Sequence, residues 1–240
     1  MKDNCVGGTI RYQGREVSAE KWFQAEVAPT LIAVNNIVLR YWQDIDVELF
    51  VMYWETFARS SHGFFGFCMH RNCITPVAMS MRLFFEYVAD LNFLYRYPEN
   101  IPRVQDEAKR CQPNSAIKKP DPMVMAKESA EVYLYKYKDG KRDKHHTGTK
   151  NRVILAYADG GEELYNYLSC YSHLNYVSAT WNSMHNFLEG DFWRKERVNI
   201  IKLYPEALSL FVHSLGKLCG IKEMEEYNFS TLKQKFKEIN

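Results

Sequence analysis

Thr75-Pro-Val-Ala-Met-Ser-Met-Arg82-Leu-Phe-Phe-Glu86-Tyr-Val-Ala-Asp90-Leu-Asn-Phe-Leu-Tyr95-Arg-Tyr-Pro98 is the stretch on which the fold turns. Thr75 suits a helix N-cap, Pro76 the first helical position, and Pro98 bars the helix from continuing. At about 100° per residue its apolar side chains, from Leu83 and Phe84 to Leu94 and Tyr95, point almost all the way round the axis. A helix of that kind belongs in the middle of a bundle. Arg82, Glu86 and Asp90 recur at every fourth position and draw one charged stripe down it. Inside a bundle such charges are tolerated only when paired and hydrogen-bonded.

Outward from this helix, the 240-residue chain is long enough for one large domain with an ample core. Hydrophobic residues make up 46% and charged residues 25%, an ordinary globular balance, and the 15% aromatic share points to a core with many tyrosine hydroxyls to satisfy. A formal net charge of +2 leaves nucleic-acid binding to a local patch. The cysteines, Cys5, Cys68, Cys73, Cys111, Cys170 and Cys219, follow no disulfide rhythm, and residues 1–8 hold no apolar leader core. The expected setting is cytoplasmic, with reduced thiols and no membrane span, because the longest apolar segment carries three internal charges.

Thr9 to Val17 alternates around Gln13-Gly14, the pattern of a small hairpin. Helical periodicity runs from Ser18 to about Arg40, with a kink or a fresh start expected at Pro29, and again from about Asp44 to Ala58. Ser60 to Cys73, with two glycines and three phenylalanines, reads as a packed connector. After the central helix, Glu99 to Pro122 is expected to hold a short helix between loops, and Met123 to Tyr137 a further helix. The basic run from Lys136 to Arg152 reads as a loop. Val153 to Ala158 reads as a helical turn, followed by a long helix to Leu188. A last long helix runs from Asp191 to Leu218, interrupted or kinked at Pro205, with a tail helix over Ser230 to Ile239.

Three groups of residues could carry chemistry. Tyr165, Ser169 and His173 share one helix face, with Glu162, Asn166, Tyr176 and Thr180 beside them. If that face meets Arg82 and Glu86, a guanidinium, a carboxylate, a hydroxyl and an imidazole share one place, a mixture suited to acid–base work or anion binding. The plain alternative is an interhelical polar network that sets register. His62, Cys68, His70 and Cys73 offer zinc-type donors at short spacing. They lack a Cys-x-x-Cys pair and are interleaved with Phe64, Phe65 and Phe67, so packing is the simpler account and no metal is assigned. In the basic run, Lys141, Arg142, Lys144, Lys150 and Arg152 could contact phosphates, against the ordinary alternative of a solvated charged segment.

The combination of Arg82-Leu-Phe-Phe-Glu86, then Leu94-Tyr95 and Pro98-Glu99, with Tyr165-Asn-Tyr-Leu-Ser169-Cys-Tyr-Ser-His173 resembles the DUF5677 family, bacterial helical proteins of unknown function. His146-Thr-Gly148-Thr-Lys150 resembles the segment that precedes the Ser/His helix in that family. The resemblance spans about Pro76 to Thr180. It extends distantly to the HEPN helical proteins, many of which are RNases of toxin, defence or RNA-processing systems. Their usual arginine–histidine signature on one helix is absent, since Arg142 and His146 fall in an expected loop. A HEPN-like site would therefore need Arg82 and His173 to converge from two helices, with His173 moving the proton and Arg82 steadying a phosphate.

The expected architecture is all-α: a single helical domain over residues 1–240, a multi-helix bundle with residues 1–17 as a small N-terminal β-hairpin. The expected function is RNA binding or RNA cleavage in a HEPN-like manner, in a bacterial defence or toxin setting. Its candidate catalytic residues are Arg82, Glu86, Ser169 and His173, and no cofactor is expected. The competing reading is a non-catalytic helical scaffold or interaction protein whose polar network is structural. RNA is the expected partner, with a homodimer as the other association the reading admits.

Overall fold

In the computed structural model, which describes residues 9–12, 15–68, 74–110, 133–157, 160–172 and 198–226, the central stretch forms one helix, Ile74–Arg96. In chain order the elements before it are β1 (Thr9–Tyr12), β2 (Arg15–Ser18), α1 (Ala19–Trp22), α2 (Ala28–Tyr41) and α3 (Val47–Cys68), which makes the central helix α4. After it come α5 (Ile101–Arg110), β3 (Tyr135–Lys138), β4 (Lys141–His146), α6 (Thr149–Ala156), α7 (Gly161–Ser172), α8 (Tyr204–Cys219) and α9 (Lys222–Glu225). The described residues are mostly helical, with two separate two-stranded antiparallel sheets, β1–β2 and β3–β4.

α4 touches α3, α6, α7 and α8, which cover most of its apolar surface, but the all-round burial expected of it is incomplete: Met79, Leu83 and Tyr95 stay exposed. Val77, Met81, Phe84, Leu91 and Leu94 are fully buried. On the side shared with α3 and α8 the core is aromatic. Tyr204 at the start of α8 stacks on Phe64 at 5.3 Å and meets Phe84 and Phe65 edge-on, while Phe57 stacks on Phe211 at 4.0 Å. The buried Tyr204 hydroxyl donates to Ser61 Oγ at 2.7 Å, and Ser61 in turn donates to the Phe57 carbonyl. Burial pushes the Tyr204 hydroxyl pKa upward, so it stays a neutral donor.

A π-helical turn, Phe23–Val27, joins α1 to α2 immediately before Pro29. Proline supplies no N–H for the helical ladder, and the widened turn absorbs the fault without ending the helix. Asp46 caps α3 by accepting from the Leu49 N–H at 3.0 Å. The expected connector from Ser60 is helix as far as Cys68. Phe57, Ser61, Phe64, Phe65 and Cys68 form one buried face, while Gly63 and Gly66 look outward into open space. Burial of the rings outweighs a cost of about 1 kcal/mol per helical glycine.

The largest departure lies after α5. Tyr135 to Tyr137, expected in a helix, forms strand β3, and the basic run expected as a loop forms β4 and then α6. Asp139 and Gly140 hold φ of 51° and 71°, a two-residue turn with both residues left-handed, which matches the twist of antiparallel strands. α6 begins earlier than expected, at Thr149. The break expected near Pro205 is present, since residues 198–201 are helical and α8 restarts at Tyr204. The expected helices over Met123 to 132, from 173 to Leu188, from Asp191 to 197 and over Ser230 to Ile239 lie outside the described residues.

Candidate functional site

The charged stripe of α4 is fully engaged. Arg82 Nε donates to Glu86 Oε1 at 2.7 Å, one turn along the helix, and Arg82 Nη2 donates to the Tyr165 hydroxyl of α7 at 2.7 Å. The guanidinium also lies over the Tyr165 ring, 4.6 Å from its centre. Arg82 therefore faces the helix that carries Tyr165 and Ser169, with Glu86 joined to it through Arg82. Ser169 sits one turn beyond Tyr165 on α7 with a sheltered hydroxyl. His173, together with Tyr176 and Thr180, lies outside the described residues.

One turn further along α4, Asp90 accepts from Arg152 Nε of α6 at 2.6 Å. The same guanidinium donates to the Thr147 carbonyl and to Thr149 Oγ1. Burial raises the Asp90 pKa above its usual 3.8, more than the Arg152 charge and hydrogen bond lower it, and Glu86 adds a smaller upward push. A quarter of the Asp90 side chain still reaches solvent, which limits that rise. The Tyr53 hydroxyl of α3 is raised by burial and then by Asp90, and Tyr87 by burial against the lowering effect of its hydrogen bond with Ser60. Arg152 is 12% exposed and committed to the core, unlike the other cations expected to meet phosphate.

Those others divide between hairpin and helix. Lys141, Arg142 and Lys144 stand exposed on β4, whereas Lys150 on α6 pairs with Glu162 of α7 at 2.8 Å. That pair lowers the Glu162 carboxyl pKa, through the hydrogen bond first and the charge second. Tyr137 and Arg142 are direct cross-strand partners and so share a face. Arg142 and Arg103 both lie over the Tyr135 ring, at 4.5 and 4.9 Å from its centre. The hairpin and Tyr97, just past the end of α4, border an open depression of about 760 Å³, lined also by Tyr137, Lys136, Lys138, Lys141 and Arg142 and by the acidic Asp139 and Asp143.

The seat of this hairpin is a buried amide absent from the sequence-based reading. Asn100 Oδ1 accepts from the Tyr135 N–H at 2.9 Å, while its Nδ2 donates to the Tyr135 and Tyr97 carbonyls at 2.9 and 3.0 Å. Across the hairpin stem the Thr147 N–H donates to the Leu134 carbonyl at 2.7 Å. Asp90, Arg152, Thr147 and Asn100 thus anchor both ends of the hairpin to the central helix. The Asp139-Gly140 pair was the local signal for its turn; nothing local distinguishes Asn100 from an ordinary turn asparagine.

No family model, curated protein or solved structure matches the chain. Among the residues considered as zinc donors, His62 packs against the Phe23 ring and Cys68 is fully buried in the core, while His70 and Cys73 lie outside the described residues. No group of three or more metal-ligating side chains forms among the described residues. No described helix is long and apolar enough to cross a membrane.

Proposed function

We propose that this protein binds RNA through the β3–β4 hairpin, in keeping with the HEPN-like resemblance of its helical body. One observation supports this above the rest: Lys136, Lys138, Lys141, Arg142 and Lys144 are gathered on a hairpin held in place by buried hydrogen bonds. A hairpin backbone fixed in advance has less conformational entropy to lose when its cations meet phosphates, and the counterions released make such binding steeply salt-dependent. Cleavage, if the protein performs it, falls to Arg82 and Glu86 with Ser169 and His173.

The bonding of Arg82 favours a second reading for that cluster. Its Nε and Nη2 are engaged by Glu86 and Tyr165, which suits a network that orients α7 on α4. In that case the protein binds RNA without cutting it, or acts as a scaffold. Short labelled RNA titrated at several salt concentrations separates these readings. The Lys141→Ala, Lys144→Ala double variant should weaken binding at low salt and flatten the salt dependence by about two counterions. Unchanged binding would remove the hairpin from the RNA-binding reading. RNA cleavage by the wild type that is lost in folded Arg82→Ala and His173→Ala variants would establish the cluster as a nuclease site; cleavage unaffected by them would exclude it.

A further inference from the structure

We infer that the depression between the hairpin and the end of α4 is a subsite for single-stranded RNA, in which one unpaired base stacks on Tyr137 while its flanking phosphates meet Lys138, Lys141 and Arg142. The inference rests on the RNA-binding reading and narrows it to strand type and to one stacking residue. Two tyrosines of the hairpin are candidates, and the geometry separates them. Tyr135 has its backbone clasped by Asn100 and its ring covered by the guanidinium groups of Arg103 and Arg142. Tyr137 lines the open depression, directly across the strand pair from Arg142.

The size and charge pattern of the depression fit one nucleotide better than a helix of paired bases. About 760 Å³ of open space, with Tyr97 also in its lining, accommodates a nucleobase and its sugar. A base in a duplex has both faces covered by its neighbours, so only an unpaired base offers its π-face to a tyrosine. Asp139 and Asp143 interrupt the lysines and Arg142, which breaks the positive field into separate points. A flexible single strand can bend its phosphates to those points; the regular phosphate rows of a duplex cannot.

The test compares a short single-stranded RNA with a duplex of the same length, using fluorescence anisotropy and, in the single strand, an aminopurine base whose emission is quenched by stacking. The wild type should prefer the single strand and quench the probe. Tyr137→Ala should weaken single-strand binding about tenfold and abolish the quench, while Tyr137→Phe keeps both. Because Tyr137 lies on the hairpin and outside the bundle core, far-ultraviolet circular dichroism should show the same helix content in all three proteins. Equal affinity for duplex and single strand, or a quench that survives Tyr137→Ala, overturns the subsite. If the Lys141→Ala, Lys144→Ala variant still loses affinity, the RNA-binding reading stands without the subsite. If that variant also binds as the wild type does, both fall together.

Discussion

On one side of α4, Phe84 meets Phe57, Phe64 and Tyr204 ring against ring; on the other, Arg82, Glu86 and Asp90 meet Tyr165 and Arg152 through hydrogen bonds. Both sides are packed, but they specify different things. Ring packing is broad and tolerates small shifts, so it contributes cohesion to the bundle. The polar side is directional: Tyr165 and Arg152 each have one geometry that satisfies the partner on α4. That side sets where α6, α7 and the hairpin stem sit, at a desolvation cost that the aromatic side does not carry.

The comparison can be broken from its apolar side first. Phe84→Ala leaves a ring-sized void among three aromatic neighbours and should lower unfolding stability by about 4 kcal/mol in urea titrations. A loss below about 1 kcal/mol would mean that the rings are loosely packed and that cohesion comes from elsewhere.

The polar side is tested by separating the partners. Arg152→Ala leaves Asp90 without its cation and should cost about 2–3 kcal/mol, less than a fully buried pair because part of Asp90 reaches solvent. Hydrogen exchange should also quicken at the Thr147 N–H, which donates to the Leu134 carbonyl and which a purely energetic role would leave protected. The pH dependence carries a definite sign. Folding raises the Asp90 pKa above 3.8, so the native state binds its proton more tightly than the unfolded chain does. The contribution of this group is fully present below the unfolded value and declines as pH rises through the folded one. Measured against Asp90→Asn, wild-type stability should therefore lose ground between about pH 4 and neutrality. A gap that grows in favour of the wild type over that range would show that Arg152 outweighs burial.

The smallest effect concerns neither side of α4 but the outer face of its neighbour α3. A methyl group at Gly63 meets nothing within 4 Å, so Gly63→Ala should stabilise the protein by about 0.5–1 kcal/mol, read as a higher urea midpoint. Destabilisation there would mean that the glycine face of α3 is covered by another part of the molecule.

The two sides of α4 also differ in how far the sequence revealed them. Its largely interior place follows from apolar residues on most faces, with only Met79, Leu83 and Tyr95 left exposed among its large described apolar side chains, and the pairing of Arg82 with Glu86 from their spacing of four. The approach of Tyr165 was legible because α7 carries its own polar stripe. Asp90 and Arg152 stand 62 residues apart, and no local pattern says which of the many cations reaches that carboxylate. Gly63 and Gly66 favour a connector after Ala58, whereas the ring spacing from Phe57 to Cys68 keeps helical period, and α3 follows the rings. The density of charge between Lys136 and Arg152 hid a strand pair whose Asp139-Gly140 turn is a strong local signal.

Asn100 reads only main-chain atoms: the carbonyls of Tyr97 and Tyr135 and the N–H of Tyr135. A clasp that recognises backbone is indifferent to most of the side chains displayed beyond it. The hairpin can accordingly drift in sequence, or be exchanged for another of equal stem length, without renegotiating the core. The bundle then serves as a durable mount, and the face it presents becomes the part most open to evolutionary or engineered change.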